Sequence, residues 1–215
     1  MSGRFITLEG PEGAGKTLMA ERLAGALRAR GLEVRLTREP GGTRLGEQVR
    51  SIVLARAQDG DEAIDARADA LLFNAARAQL VAEVIRPALA AGEVVVCARF
   101  ADSTLAYQGY GAGLPIAELR SVAGVATGGL SPDLTILLDV APEVGLARKA
   151  DDARNRFESG FDVEFHRRVR SGFLDLAREE PRRWRVIDAD RDAEAVFADV
   201  LAAVLAALPT PGGQP

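Results

Sequence analysis

The chain has 215 residues, 47% of them hydrophobic and 27% charged, and its formal net charge is −4. This length and composition indicate one globular domain with a sizeable core, and they exclude disordered and fibrous proteins. The mild acidity argues against nucleic acid or an anionic membrane as a partner, and the single cysteine and single histidine exclude an internal disulfide and a Cys/His zinc cluster.

The order of segments predicts an α/β fold, because short apolar runs alternate with longer helical stretches. Strands are predicted at residues 5–8, 33–37, 94–98, 136–140 and 185–187. Helices are predicted at about residues 16–30, 45–55, 64–90, 103–108, 115–126, 142–150, 161–179 and 192–208. Charge mixed among the apolar positions of the 64–90 helix predicts a break or kink, and Gly92 is expected to end this helix.

The two ends of the chain and its longest apolar runs bear on location and domain organisation. The first residues lack the apolar stretch of a signal peptide, and no apolar run approaches the roughly 18 residues of a membrane span. We therefore expect a cytoplasmic protein. Residues 209–215 are rich in proline and glycine and are expected to form a disordered tail, whereas residues 1–208, without repeat or linker, are expected to form one domain.

Residues 10–17, with the sequence GPEGAGKT, fit the phosphate-binding motif G-x-x-x-x-G-K-[ST] between a predicted strand and a predicted helix. The glycines let backbone N–H groups face phosphate oxygens at the positive end of the helix. Lys16 would then bridge the β- and γ-phosphates, and the Thr17 hydroxyl would ligate Mg²⁺. The motif therefore predicts a site for a nucleoside triphosphate.

The class of nucleotide-binding protein can be narrowed further. Lysine occurs only at positions 16 and 149, and neither lysine follows an asparagine, so the Asn-Lys-x-Asp motif of GTPase switches is absent. A large motor or transporter ATPase does not fit in 215 residues. A small kinase fits, and such an enzyme needs a site for a second substrate.

Two segments with arginines follow predicted strands, at the sheet edge where open α/β sheets bind ligands. Residues 37–43, TREPGGT, place Arg38 beside an abrupt turn, where its guanidinium can fork onto a phosphate. Arg99 follows the apolar strand 94–98, and residues 103–111, STLAYQGYG, add polar groups nearby. These features alone also fit an ordinary turn with a solvated arginine.

Phe73 and Arg77 are four residues apart and therefore share one face of the long predicted helix. The ring could stack on a base while the guanidinium hydrogen-bonds the edge of that base. The same spacing also fits a core phenylalanine beside a surface arginine, so the pair alone does not decide between these interpretations.

In their order and spacing, these motifs resemble bacterial thymidylate kinases, of the P-loop nucleoside monophosphate kinases. The resemblance extends over essentially the whole chain, including residues 131–134, SPDL, which lead into the fourth predicted strand. It implies a P-loop kinase fold with a five-stranded parallel sheet flanked by helices on both faces and a short mobile lid at about residues 148–160. It also implies transfer of the γ-phosphoryl group of ATP to dTMP, giving dTDP for dTTP supply, with Mg²⁺ as cofactor and a homodimeric assembly.

The resemblance implies roles for individual residues. ATP binding is expected of Gly10, Pro11, Glu12, Gly13, Ala14, Gly15, Lys16, Thr17 and Arg148. dTMP binding is expected of Glu12, Arg38, Arg50, Phe73, Arg77, Arg99, Thr104, Tyr107 and Gln108. Catalysis is expected of Lys16, Arg99, Arg154 and Arg156, and metal ligation of Thr17.

Within the dTMP site, the resemblance implies a contact for each group of the substrate. Phe73 would stack on thymine and Arg77 would hydrogen-bond its O4, while Arg38 and Arg99 would hold the phosphate. Glu12 would meet the 3′-hydroxyl. The remaining expected contacts are Thr104 and Gln108 at the base edge, Arg50 close to it, and Tyr107 at the 2′ position, where it favours deoxyribose.

Gly13 stands where some relatives place a catalytic arginine in the phosphate-binding loop. In the subtype that lacks this loop arginine, the arginines come from the lid instead. The charged residues 148–156 of this chain match such a lid. Such arginines suit phosphoryl transfer, which depends mostly on positioning and on neutralising negative charge. Without the resemblance, this segment would be interpreted as a solvated charged loop.

Two positions depart from the family pattern. Ala98 precedes Arg99 where relatives have an aspartate near Mg²⁺, and Asn155 stands where lid sequences often have an aspartate. Three explanations of Ala98 are open: Thr17, phosphates and water hold the metal sufficiently; Asp139 or Glu12 substitutes; or activity is reduced. We favour the first, since Mg²⁺ usually keeps several waters and few protein ligands.

The sequence leaves open two alternatives to a thymidylate kinase. A P-loop kinase for another nucleotide or nucleoside is one, and the Phe73/Arg77 pair and the arginines favour a pyrimidine monophosphate over it. A nucleotide-binding protein that has lost catalysis is the other, suggested by Ala98.

Overall fold

The computed structural model describes residues 3–54, 64–148 and 161–208. Their strands are β1 (Arg4–Glu9), β2 (Val34–Arg38), β3 (Val94–Ala98), β4 (Leu134–Asp139) and β5 (Trp184–Asp188). All neighbouring strands pair in parallel, in the order β2-β3-β1-β4-β5. The predicted five-stranded parallel sheet is confirmed.

The helices of the described residues are α1 (Lys16–Arg28), α2 (Arg44–Val53), α3 (Ala66–Leu80), α4 (Arg86–Ala90), α5 (Ala101–Thr104), α6 (Ile116–Thr127), α7 (Pro142–Arg148), α8 (Val163–Glu179) and α9 (Ala193–Ala207). Two segments are π-helical: Val81–Ile85 joins α3 to α4, and Leu105–Gly111 continues α5. In the part of the chain that the structure describes, no helix is long and apolar enough to cross a membrane.

Helices cover both faces of the sheet, because successive strand residues point to opposite sides. On β1, Ile6 and Leu8 pack in the cluster that contains α1 and α9, whereas Phe5 packs in a cluster on the other face with Phe100. The inner strand β3, between β2 and β1, is buried along its whole length. This is the expected environment of a parallel strand that is covered on both faces.

The predicted interruption of the 64–90 helix is confirmed by the π-helical turn between α3 and α4. Pro87 lies at the start of α4 and has no N–H to donate to the preceding turn, so the regular hydrogen-bond ladder breaks there. Gly92 follows the end of α4 with a positive φ of 84°, as expected of a glycine that ends a helix.

Some predicted bounds were wrong. The 103–108 helix begins earlier, at Ala101, and its π-helical continuation reaches Gly111. Strand β4 begins two residues before the predicted bound and ends at Asp139. Its polar Thr135 is buried, and its hydroxyl hydrogen-bonds the Thr7 hydroxyl at 2.9 Å, so hydrophobicity did not reveal this part of the strand. The predicted tail and most of the predicted lid lie outside the described residues.

Candidate active site

A cavity of about 320 Å³ opens at the carboxyl edge of β1, β2 and β3. It is lined by Glu12, Gly13, Gly15, Lys16, Thr17, Leu18, Arg38, Glu39, Pro40, Arg50, Leu54, Phe73, Ala98, Arg99, Ser103, Thr104, Tyr107 and Gln108. The three segments that follow these strands thus share one cavity, as parallel strands require. Most residues expected to bind ATP or dTMP lie in its wall.

The phosphate-binding loop links β1 to α1. Gly10, Gly13 and Gly15 have positive φ values of 147°, 70° and 84°, which a side chain disfavours. Lys16 turns back onto the loop, where its Nζ donates to the carbonyl oxygens of Gly10 at 2.9 Å and Pro11 at 2.6 Å. The ammonium group therefore already lies beside the backbone that would hold phosphates.

The loop packs very closely against α7. A Cβ atom on Gly13 would overlap the carbonyl oxygen of Gly145, and a Cβ atom on Gly145 would overlap the carbonyl oxygen of Glu12. Both positions therefore require glycine in this arrangement. An arginine at position 13 could not be accommodated without moving α7 or the loop.

Arg38, Arg50 and Arg99 bring three cationic side chains to the wall of the cavity. The Nη1 of Arg50 donates to the Pro40 carbonyl at 3.0 Å. Burial lowers the pKa of Arg50, and the positive charges of Arg38 and Arg99 lower it further, while the negative charges of Glu47 and Glu12 offset part of this shift. Such crowding of like charges is relieved by a bound anion, so these residues suit a phosphate group.

A carboxylate on α2 holds the guanidinium of Arg38 in place. Its Nη2 donates to both carboxylate oxygens of Glu47, at 3.0 and 3.2 Å, and the same carboxylate accepts the Gly42 N–H at 3.0 Å. Thr43 caps α2 through its hydroxyl, which accepts the Gly46 N–H at 3.0 Å. The turn after β2 is therefore tied to the helix that follows it.

Arg99, Glu12 and Tyr107 form a closed hydrogen-bonded group. Arg99 Nη2 donates to the carboxylate of Glu12 and, at 3.2 Å, to the Tyr107 hydroxyl, which itself donates to Glu12 at 2.8 Å. Burial alone would lower the pKa of Arg99, but interactions with Tyr107 and Glu12 raise it overall. Arg99 therefore carries its positive charge into the cavity.

Part of the cavity wall carries apolar side chains. Phe73 on α3 and Leu54 at the end of α2 line it together with Thr104 and Gln108. Gln108 is buried, and its Nε2 donates to the carboxylate of Asp69 at 3.0 Å. An aromatic ring beside fixed polar groups suits a planar base with hydrogen-bonding edges.

Arg77 lies in the wall behind the cavity instead of among its lining residues. It is 1% exposed, and its Nε and Nη2 donate to the buried carboxylate of Glu39 at 2.7 to 3.2 Å. Its Nη1 donates to Asn74 at 2.8 Å, and its Nη2 also donates to the Phe100 carbonyl and the Thr104 hydroxyl, at 3.0 and 3.1 Å. Arg77 thus supports Glu39 and Thr104, which both line the cavity. Its contact with thymine O4 stays a prediction.

The expected lid residues are only partly described. Arg148 ends α7 and donates to the Ala189 carbonyl at 2.9 Å and to Asp190 at 3.2 Å. These partners follow β5, and Arg148 is not among the lining residues of the cavity. Arg154, Arg156 and Asn155 lie outside the described residues.

The metal-binding groups are sparse. Among residues 3–54, 64–148 and 161–208, no cluster of at least three histidine, cysteine, aspartate or glutamate side chains could hold a metal ion. Thr17, Glu12 and Ala98 line the same cavity. Asp139 faces away to α8, where Arg170 donates to both of its oxygens at 2.7 and 2.8 Å, which disfavours Asp139 as a substitute for the missing aspartate.

Sequence reasoning missed several residues of this site. Glu39, Pro40 and Ser103 line the cavity, whereas the sequence motifs that contain them predict no binding role for these three residues. Glu9 was also missed: it is fully buried and accepts hydrogen bonds from the Phe100 N–H and the Ser103 hydroxyl. The available signal was an acidic residue between the predicted strand 5–8 and the phosphate-binding motif.

Comparisons with known proteins agree on one family. The family model described as thymidylate kinase matches residues 8–200. The chain is 54% identical to the thymidylate kinase of Deinococcus radiodurans, covering 94% of this chain and 96% of that protein, and 50% identical to that of Pseudomonas putida, covering 93% and 94%. The crystal structure of thymidylate kinase from Ehrlichia chaffeensis is similar with a TM-score of 0.75 and 33% identity, covering 95% of this chain and 99% of that one.

The contact between the loop and α7 predicts the effect of Gly145→Ala. The added methyl group would overlap Glu12 and displace the phosphate-binding loop, so we expect the affinity for ATP, measured by calorimetry, to fall about 10- to 100-fold. Gly124→Ala is the matched control, because a Cβ atom on this helical glycine meets nothing within 4 Å. The control should bind ATP normally; equal affinity in both variants would contradict the prediction.

The burial of Glu9 predicts a pH dependence of stability. Burial, and next the negative charge of Asp102, raise the pKa of Glu9 from 4.5 to about 7, whereas Ser103 and Arg99 lower it. Between these two values the folded protein binds a proton that the unfolded chain has lost, so this group makes the free energy of unfolding fall as pH rises.

Urea denaturation of the wild type and of Glu9→Gln checks this prediction. The free energy of unfolding of Glu9→Gln minus that of the wild type should grow from pH 4.5 to about 7 and then level off. A difference that stays flat or shrinks over this interval would show that the pKa of Glu9 is not raised in the folded protein.

Proposed function

The chain belongs to the thymidylate kinase family, and from this membership we propose how its cavity carries out the family's reaction. The protein is an enzyme that phosphorylates dTMP to dTDP with ATP as donor, and its product supplies dTTP for DNA synthesis. One observation supports the assignment of the cavity most directly. A phosphate-binding loop and three arginines line the same cavity, so a triphosphate and a monophosphate can meet there.

The donor phosphates bind at the loop between β1 and α1. Its backbone N–H groups and the positive end of α1 favour the phosphate oxygens. Lys16 leaves the carbonyl oxygens of Gly10 and Pro11 and donates to the β- and γ-phosphates. Because the ammonium group already lies beside the loop, only a short movement of its flexible side chain is required.

The acceptor phosphate binds between Arg38 and Arg99. Both arginines line the cavity, and Arg50 adds a third positive charge. Fork-shaped guanidinium groups suit phosphate oxygens, and they neutralise charge that spreads over the transferred group. Arg99 exchanges its bond to Glu12 for the phosphate, which leaves the Glu12 carboxylate to accept the 3′-hydroxyl of dTMP.

The base and sugar bind beside the apolar side chains of the cavity wall. Phe73 stacks on the thymine ring, while Thr104 and Gln108 reach its edge. Tyr107 stands beside Glu12 at the sugar, where its ring leaves no room for a 2′-hydroxyl. Arg77 fixes the Thr104 hydroxyl from behind the cavity wall, and its contact with thymine O4 requires the guanidinium to shift toward the cavity.

The residues present fit Mg²⁺. The Thr17 hydroxyl and the Glu12 carboxylate line the cavity, and oxygen ligands of this kind would suit Mg²⁺, which usually needs few protein ligands. When bound, Mg²⁺ neutralises charge on the phosphates. Ala98 offers no ligand, so Thr17 is the residue that we assign to the metal.

Residues 1–208 form one domain in which residues 148–160 act as a lid that brings Arg154 and Arg156 to the phosphates and excludes water. We also propose that the enzyme works in the cytoplasm, where ATP and deoxynucleotides are available.

A coupled ADP-release assay with each nucleoside monophosphate tests the substrate. We expect strong turnover of dTMP and little turnover of dUMP or dCMP. Lys16→Ala should lower kcat by about 100-fold or more, because a preorganised donor to the transferred phosphoryl group is lost. Preference for another monophosphate would contradict the proposed use of Phe73, Thr104 and Gln108.

The same assay on Ala98→Asp tests the metal site. Because Mg²⁺ usually keeps several waters and needs few protein ligands, we expect the wild type to be active and Ala98→Asp to differ from it by no more than about threefold. Turnover that appears only after the aspartate is restored would show that the chain binds its substrates without processing them.

We propose that the enzyme is a homodimer formed through α2, α3 and α6. These helices pack side by side and carry the exposed apolar side chains Leu45, Ile52, Leu71 and Val125. Leu45 and Ile52 are seven residues apart and thus share one face of α2. Exposed apolar groups on neighbouring helices suit an interface between copies.

Analytical ultracentrifugation tests the dimer. The wild type should sediment at twice its chain mass of 22.8 kDa. Ile52→Glu, which places a charge on α2, should shift it to the monomer, whereas Val186→Glu, at a similarly exposed residue of β5, should not. A monomeric wild type, or equal effects of both variants, would refute this interface.

A further inference from the structure

We propose that Glu9 is a positioning residue for Arg99, holding its backbone and side chain so that the guanidinium faces the acceptor phosphate. This inference rests on the proposed function, in which Arg99 binds the phosphate of dTMP. Glu9 ends β1 and directly precedes the phosphate-binding loop, so it would link the acceptor arginine to the strand that carries the donor site.

The backbone of Arg99 needs such support. Its φ is 70°, the only positive value of a non-glycine residue among the described residues. Side chains disfavour this region by about 1 to 3 kcal/mol, and it persists only where the surroundings hold it. Arg99 lies directly after β3, so this turn decides where its side chain leaves the sheet.

Glu9 holds the peptide group that follows this turn. Its Oε1 accepts the Phe100 N–H at 2.7 Å, while the Arg99 N–H donates to the Leu8 carbonyl at 2.9 Å. Two consecutive N–H groups of the turn therefore bind to consecutive residues of β1. On the opposite side, Arg77 donates to the Phe100 carbonyl at 3.0 Å.

Glu9 also reaches the Arg99 side chain through one intermediate. The Ser103 hydroxyl donates to Glu9 Oε2 at 2.6 Å and accepts from Arg99 Nη1 at 3.3 Å. Glu9 is 0% exposed, and both of its oxygens are therefore used inside the protein. A carboxylate with both oxygens committed to the Arg99 turn and to Ser103 is placed to orient the arginine without touching substrate.

The electrostatic surroundings are consistent with this role. The groups that act most on Glu9 are Asp102, which raises its pKa, and Arg99 and Ser103, which lower it. Burying a carboxylate is costly unless it is hydrogen-bonded. The arrangement thus places a buried acid where it supports a functional residue.

Steady-state kinetics on Glu9→Ala tests the proposal, with thymidine as the decisive probe. Thymidine has the base and sugar of dTMP but lacks the phosphate that Arg99 would bind. We expect Glu9→Ala to raise the KM for dTMP about tenfold, as when a charge-assisted hydrogen bond loses its geometry, while the inhibition constant of thymidine and the KM for ATP stay within about twofold of wild type.

Two variants separate positioning from general damage to the fold. Glu9→Gln still accepts the Phe100 N–H and should keep the KM for dTMP within about threefold of wild type. Ser103→Ala breaks only the path through the hydroxyl and should raise the KM for dTMP about threefold, again without weakening thymidine. If Glu9→Ala does not fold, these two variants still decide the question.

A double-mutant cycle completes the test. If Glu9 acts through Arg99, Glu9→Ala should change the KM for dTMP by less than about twofold in an Arg99→Ala background. Equal weakening of dTMP and thymidine, or an unchanged KM for dTMP in the folded single variants, would overturn the proposal. A wild type without dTMP turnover would instead contradict the proposed function, so the two failures are distinguishable.

Discussion

The parallel arrangement of β1, β2 and β3 is the constraint on which the rest of the site depends. In a parallel sheet every strand ends at the same edge, so the segments that follow neighbouring strands are brought together. The order β2-β3-β1 places Glu39, Arg99 and Gly10 next to one another although they are far apart in sequence. A loop that binds a triphosphate and arginines that suit a monophosphate thereby face one cavity.

Buried ionic groups give this edge its defined geometry. Glu39 and Arg77 form an ion pair at 2.7 Å whose side chains are almost fully buried, and Glu9 is buried beside it. Charges in such surroundings are tolerated only when hydrogen bonds satisfy them, so each group has few alternative positions. The wall behind the acceptor site is therefore held by directional contacts, which suits a reaction that depends on positioning.

Steric contact excludes an arginine at position 13 of the phosphate-binding loop, so the proposed mechanism takes its catalytic arginines from the lid. The close approach of Gly13 to Gly145 leaves no space for a side chain in the loop at this position. The contact also joins the loop to α7, the helix that leads into the proposed lid. One pair of glycines thus accounts for a sequence feature of the loop and relates it to the segment expected to supply the missing charge.

The sequence by itself determined the sheet and the phosphate-binding loop, because apolar periodicity and short motifs are local properties, and its resemblance to thymidylate kinases supplied most residues of the cavity. The tertiary structure decided what depends on contacts between distant residues. It placed Arg77 behind the cavity, where its guanidinium binds Glu39. No local pattern predicts this ion pair, because the two residues are 38 positions apart in sequence. It also revealed the bonds of Glu9 to Phe100 and Ser103, which no local pattern encodes, because they exist only once β1 and β3 lie side by side.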